Sequence, residues 1–287
     1  MPHQKLWVGL PDTLLIDSKH LREKTVKLGM VARSCAIFKV QKIYIYRDQT
    51  EKTGGESKLI RTVLEYLDTP QYLRRILYEK RPELEYVGLL PPLRTPHHKL
   101  AEKPSDIRRG DYREGVVTER GGKLFVEAGL SGLVSLQGRS PVPVGSRVTV
   151  RFTSEYHDLR CVAVKREEVG DYWGYEVGES PSLKGLIRSL NADLAVLTSR
   201  RGQPVNKVWS KLLPDIQTAR SVVAIFGSPK HGVYEILETE NAHPEELSKY
   251  VLNTFPDQGT ATIRTEEALL GTLALLNLGR NLEKPDV

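Results

Sequence analysis

The stretch Val222-Val223-Ala224-Ile225-Phe226-Gly227-Ser228-Pro229-Lys230-His231-Gly232 passes from a short apolar run directly into a glycine-bounded turn. Such a pattern reads as a strand followed by a loop. Two similar transitions flank it. Leu194–Leu197 precedes Thr198-Ser199-Arg200-Arg201-Gly202, and Leu252-Asn253-Thr254-Phe255-Pro256-Asp257-Gln258-Gly259-Thr260 leads through Ala261–Thr265 into a helix over Glu266–Leu278. In a parallel α/β sheet ligands bind at the carboxyl ends of the strands, so these three loops are where a site is expected.

Outward from this segment the same alternation recurs. Leu6–Leu10 reads as a strand, Pro11-Asp12 as a turn, and Asp17 as a possible cap for a helix to about Phe38 whose Leu21, Leu28, Ala32 and Cys35 share one face. Lys42–Tyr46 is a second strand, and a helix bearing Leu59, Ile60, Val63, Leu64 and Leu67 breaks at Pro70 and resumes through Leu77. Strand–helix alternation implies a parallel sheet. After Pro91-Pro92 the pattern changes. Residues 94–181 carry short β-rich runs such as Lys123–Val126, Arg147–Phe152 and Leu159–Val164, without a helical period. This predicts a small all-β barrel of the OB type. From Ser182 the α/β pattern returns with a helix through Leu190. Residues 1–93 and 182–287 therefore read as one discontinuous α/β domain interrupted by a barrel at 94–181.

The 287 residues, 39% hydrophobic and 27% charged, suit a globular chain of this size. Charges interrupt every apolar run before membrane-spanning length, and Met1–Leu10 lacks a basic segment leading into an apolar core, so the expected location is the cytoplasm. Cys35 and Cys161 are far apart, and no HExxH or Cys/His cluster occurs, so neither a disulfide framework nor a metal is expected. The net charge of +6 points to a polyanion, and it is concentrated: residues 1–93 hold 16 Lys/Arg against 11 Asp/Glu, while 94–181 hold 14 against 13 and 182–287 hold 12 against 12.

Gly227 and Gly232 have the glycine spacing of a P-loop, but Val233-Tyr234 replaces its Lys-Ser/Thr pair, which disfavours nucleotide hydrolysis. No GxGxxG follows the first strand, which disfavours a dinucleotide oxidoreductase. The strings VGLPDTLL, GMVARSCAIFKVQKIYIYRD, FGSPKHGVYEIL and NTFPDQGTATIRTEEALLGTLALLN together resemble the SPOUT (α/β-knot) RNA methyltransferases, in the archaeal and eukaryotic branch with an OB-like insertion. That resemblance implies a carboxyl-terminal trefoil knot, a homodimer, and S-adenosyl-L-methionine held bent within the knot. It places Thr198, Ser199 and Arg201, then Gly227 and Pro229, then Leu252, Asn253, Gly259, Thr260, Ile263 and Thr265 around the cofactor. The residue chemistry agrees, since backbone groups can read an adenine edge and Leu252 and Ile263 can cover its faces. Thr265 also reads as a helix cap before Glu266 and Glu267.

Methyl transfer depends on holding acceptor and methyl in line, with a cation near the acceptor to stabilise its developing charge. Arg33 and Arg264 are the catalytic candidates, the alternative for Arg33 being a solvated helix charge. Lys19, Arg22, Lys24 and Lys27 on the first helix are expected to meet RNA phosphates. Tyr112, Phe125, Phe152, Tyr156, Tyr172, Trp173 and Tyr175 in the insertion could stack bases or fill its core. The expected activity is SAM-dependent methylation of RNA, rRNA ahead of tRNA, with uridine N3 the first position to test. The rival is a non-catalytic RNA-binding or assembly factor that keeps the fold.

Overall fold

The computed structural model describes residues 4–51, 55–100, 103–138 and 143–282. The chain forms two compact units. One comprises residues 1–65, 83–91 and 175–287, the other 66–82 and 92–174.

The first unit is built on a six-stranded parallel sheet. Its strands are β1 (Lys5–Pro11), β2 (Lys42–Tyr46), β8 (Glu176–Ser180), β9 (Leu194–Pro204), β10 (Ser221–Ile225) and β11 (Tyr250–Asn253), in the spatial order β11-β9-β10-β1-β2-β8. Helices α1 (Leu21–Ile37), α4 (Leu183–Leu190), α5 (Val205–Thr218), α6 (Val233–Thr239), α7 (Pro244–Leu247) and α8 (Thr265–Asn281) connect and cover it. The strands are short and rich in Val, Ile and Leu because the central ones are buried on both faces. Tyr46, Leu186, Leu197, Val223, Ile225, Val233, Ile236 and Val251 belong to one apolar core.

Several sequence expectations shift in detail. β8 lies inside the 94–181 stretch, yet it pairs in parallel with β2 from Lys42↔Glu176 to Tyr46↔Ser180. Its sequence, EVGES, is too polar to signal a sheet strand; an edge position, with a single neighbouring strand, permits that composition. Asp17 does not cap α1. The helix starts at Leu21, and the Glu23 carboxylate accepts from the backbone N–H groups of Lys19 (3.2 Å) and His20 (3.4 Å). Helix α5 has no counterpart in the sequence expectations, because Pro214 inside it interrupts the helical signal.

The second unit contains a closed barrel of five strands, β3 (Tyr112–Arg120), β4 (Lys123–Glu127), β5 (Val134–Gln137), β6 (Arg147–Phe152) and β7 (Arg160–Val164), ordered β3-β4-β5-β7-β6. All pairs are antiparallel except β5–β7. Ile107, Val126, Val134, Val150, Phe152 and Cys161 fill the interior. Helix α2 (Ser57–Asp68) ends at the boundary between the two sets of residues, and α3 (Gln71–Leu77) follows Pro70 as expected. Of the seven aromatics considered for stacking, Phe152, Trp173 and Tyr175 are buried, whereas Tyr156 is exposed. Bury an aromatic ring in the core and it is unavailable to a base, which removes those three from a stacking role.

This unit also holds a buried ionic network. Arg147 contacts Asp68 (3.0 Å) and Glu114 (2.6 Å), Arg166 contacts both, Thr149 and Trp173 donate to Glu114, and His97 meets the Asp68 carbonyl at 2.7 Å. Burial, the largest single influence, would raise the Asp68 and Glu114 carboxyls, but Arg147 together with Arg166 and His97, and Thr149 at Glu114, hold both below the usual carboxylate range.

Candidate functional site

The three strand ends singled out in the sequence converge in the first unit. Together with the start of α8 they surround a cavity of about 380 Å³, within the size range of small-molecule sites. Thr198, Ser199 and Arg201 line it from β9, Gly227 and Pro229 from the loop after β10, Leu252 and Asn253 from β11, and Ile263 and Thr265 from the approach to α8. Gly259 and Thr260 do not line it. Gln258 donates to the Thr260 carbonyl (2.8 Å) and the Thr260 hydroxyl to the Thr262 carbonyl (3.0 Å), so these residues close a local turn beside the cavity.

The first wall is not the simple loop that the sequence suggests. β9 continues as extended chain to Pro204, and its pairing with β11 jumps: Val251 opposes Leu197, but the next residue, Leu252, opposes Gln203. Residues 198–202 are therefore an excursion from the ladder, free to face a ligand. Gly202 closes it tightly; an added Cβ would lie 2.6 Å from the Val251 carbonyl oxygen and 2.8 Å from the Leu252 backbone. At Gly227 a Cβ would lie 2.8 Å from both Gly232 Cα and the His231 carbonyl oxygen. That glycine is needed to let its own loop close, rather than to leave space for a ligand.

Hydrogen bonds fix the walls. The Thr198 hydroxyl donates to the Ile225 carbonyl (2.9 Å), Tyr46 to the Phe226 carbonyl (2.6 Å), and Thr265 to the Gly227 carbonyl (3.4 Å). Ser228 and His231 form a turn through Ser228 N–H to the His231 carbonyl (2.8 Å) and His231 N–H to Ser228 Oγ (2.9 Å). Thr265 is the first residue of α8, behind Arg264 at the cap position, so its role is a wall and not the cap. Arg201 reaches Glu235 of α6 (2.7 Å) and lies over the Tyr234 ring (4.5 Å). Burial works against ionisation of Glu235, but its local backbone N–H groups and Arg201 hold the carboxyl below its ordinary range.

The same loops also bring Phe226, Ser228, Lys230, Gly232, Thr254 and Phe255 to the wall, and sequence reasoning passed over Glu235 and Ala268. The nearness of Glu235 to Arg201 was invisible, because 34 positions separate them and only the return of α6 to β9 brings them together.

The two catalytic candidates differ in place. Neither Arg33 nor Arg264 is among the residues that line the cavity and both are exposed, but Arg264 stands between Ile263 and Thr265, which do line it, whereas Arg33 lies on α1. The four phosphate candidates divide. Lys19 and Arg22 are exposed. Lys24 pairs with Glu56, and Lys27, only 4% exposed, lies 2.7 Å from Asp17 and 3.3 Å from Glu266. A buried lysine held by two carboxylates ties α1 to the first turn of α8 and cannot reach an RNA phosphate without breaking that arrangement.

Comparison with known proteins gives the surroundings of this chain. It is 34% identical over 289 residues to an uncharacterized protein of Haloarcula marismortui, covering 94% of this chain and 98% of the relative. It is 32% identical over 303 residues to the human 28S rRNA (uridine-N(3))-methyltransferase, covering 96% of this chain and 78% of that protein, and 31% identical to the mouse protein of the same name, covering 96% and 76%. The family described as "Putative RNA methyltransferase" matches residues 5–276, nearly the whole sequence, and the chain belongs to that family.

Proposed function

We propose that this protein transfers a methyl group from S-adenosyl-L-methionine to N3 of a uridine in large-subunit ribosomal RNA. The observation that carries the proposal is the cavity itself: nine of the eleven residues expected around the cofactor line one space at the carboxyl ends of β9, β10 and β11. The donor set fits the molecule. Leu252 and Ile263 offer apolar faces to an adenine, the excursion at 198–202 and the 227–232 loop offer backbone groups, and Asn253 and Thr265 offer polar side chains. Bound there, S-adenosyl-L-methionine supplies an electrophilic methyl group on a sulfonium. The choice of uridine N3 follows the names of the human and mouse relatives.

The finer parts of the proposal have separate support. The return of β11 to the outer side of β9, after β10 has formed, is compatible with the trefoil knot of SPOUT enzymes. Five strands with a single parallel pair support an OB-type barrel. A homodimer is supported by unburied apolar surface in the first unit: Leu270 and Leu278 on α8, Leu282 directly after it, and Val26, Met30 and Ile37 on α1 are all exposed. Arg33 lies on the same α1 stripe, one turn from Met30 and from Ile37, so its proposed role belongs to that face rather than to the cavity wall. Lys19 and Arg22 remain as phosphate contacts, with RNA as the partner.

Isothermal titration with S-adenosyl-L-methionine tests the cofactor reading. Micromolar binding that weakens at least tenfold in Leu252→Asp supports it. No binding at millimolar cofactor favours an assembly factor that keeps the fold without the chemistry.

A further inference from the structure

Uridine N3 is an imide nitrogen that carries a proton, so its methylation requires a base. The cavity wall supplies one carboxylate, Glu235, and Arg201 already engages it. A second carboxylate, Glu51 after β2, stands at the 227–232 loop.

There Glu51 meets both side chains of the Lys230-His231 pair. Its Oε1 lies 3.2 Å from Lys230 Nζ and 3.5 Å from His231 Nε2. Both ends of the arrangement are held by the backbone. The Ser228–His231 turn fixes the histidine, and Asp48, fully buried at the end of β2, accepts from Thr13 Oγ1 (2.5 Å), Thr50 N–H (2.9 Å) and Thr50 Oγ1 (2.5 Å), fixing the chain just before Glu51. His231 does not itself line the cavity but stands between Lys230 and Gly232, which do, and its side chain is 33% exposed, open to a substrate base at the cavity's edge. The charged groups around the imidazole are Glu51 from the loop after β2 and Lys230 from its own loop; Glu235 of α6 is occupied by Arg201.

We propose that His231 is the general base that removes the N3 proton of the target uridine, with Glu51 as its positioning residue and Lys230 as the cation beside the resulting anion. This rests on the uridine-N3 reading above. In this proposal Glu51, 3.5 Å from Nε2, favours the neutral tautomer with its proton on that nitrogen, and Nδ1 is the accepting atom. The N3 proton passes to Nδ1, and the N3 electron pair forms the bond to the methyl carbon. The carbon–sulfur bond breaks with its electrons going to sulfur, which cancels the sulfonium charge. The imidazolium, stabilised by Glu51, then releases the proton to water.

Single-turnover methylation of transcribed large-subunit rRNA, made with uridine or with the more acidic 5-fluorouridine, tests this. Wild type, His231→Gln and Glu51→Gln are compared across pH, with S-adenosyl-L-methionine and RNA affinities measured by titration. General-base catalysis is worth roughly 100-fold or more. His231→Gln is expected to lose about that factor on uridine RNA, to recover most of it on 5-fluorouridine RNA, and to keep both affinities. Glu51→Gln should show a smaller loss with the same recovery. A His231→Gln protein that works at the wild-type rate, that is equally slow on both RNAs, or that loses cofactor affinity overturns the base assignment. Wild type that methylates these RNAs at an atom other than N3 overturns the substrate reading beneath it, a result distinct from the other three.

Discussion

At the scale of single residues, the glycines of the site separate steric roles that the sequence presents alike. Gly202 and Gly227 each have backbone within 2.8 Å of where a Cβ would stand, whereas a Cβ at Gly259 would meet nothing within 4 Å. Backbone cannot rotate away as a side-chain tip can, so Gly202→Ala and Gly227→Ala should each destabilise the first unit by about 1–3 kcal/mol and weaken cofactor binding. Gly259→Ala should be neutral in both respects. Thermal melts and titration of the three variants check this; a neutral Gly202→Ala would show that the 198–202 excursion is not held by that contact. Lys27 carries a second residue-scale prediction. Replacing it by Met leaves Glu266, 5% exposed, without its cation, so the variant should lose about 3–5 kcal/mol in denaturant melts. Lys19→Ala and Arg22→Ala, on exposed positions, should leave stability intact and flatten the salt dependence of RNA binding by somewhat less than one unit each.

At the scale of elements, the barrel unit should respond to mild acid. Burial, and then the neighbouring His97, push the His98 imidazole down to about 4, from an ordinary value near 6.5. The folded unit therefore binds this proton less readily than the unfolded chain. Its contribution is fully present above about pH 6.5 and is lost as pH falls toward 4. Asp68 and Glu114, held low by Arg147 and its neighbours, keep their contributions above the usual carboxylate range and lose them progressively as the pH falls through and below it. Melts of wild type and His98→Asn at pH 7 and pH 4.5 should show a smaller loss in the variant. An equal loss would place the titration elsewhere. Which elements the sequence revealed follows from locality. Strands β1, β2 and β10, the break at Pro70 and the β-rich middle announce themselves through contiguous apolar runs and turn residues. β8 was hidden by its polar edge composition, α5 by Pro214, and the full length of β9 by the polar residues of its excursion. The cavity was legible in outline because its walls are three strand ends. The pair in its wall, Arg201–Glu235, and the pairs near it, Lys27–Glu266 and Glu51–His231, join residues far apart in sequence, and no local pattern encodes them.

At the scale of the whole molecule, the proposed assembly and activity can be measured separately. The apolar stripe on α8 leaves Leu270 43% and Leu278 53% exposed, beside buried Leu269, Leu273 and Leu276 on the opposite side of the same helix. If a second copy covers that stripe, light scattering should find a dimer, and Leu270→Asp with Leu278→Asp should convert it to monomer. A wild-type monomer at micromolar concentration would remove the dimer from the account. The most direct test of the central claim is to incubate the purified protein with transcribed large-subunit rRNA and methyl-labelled S-adenosyl-L-methionine, digest the RNA, and identify the labelled nucleoside by mass spectrometry. The account predicts 3-methyluridine at one position, reduced in Leu252→Asp; no labelled nucleoside, or label on a base other than uridine, would contradict it.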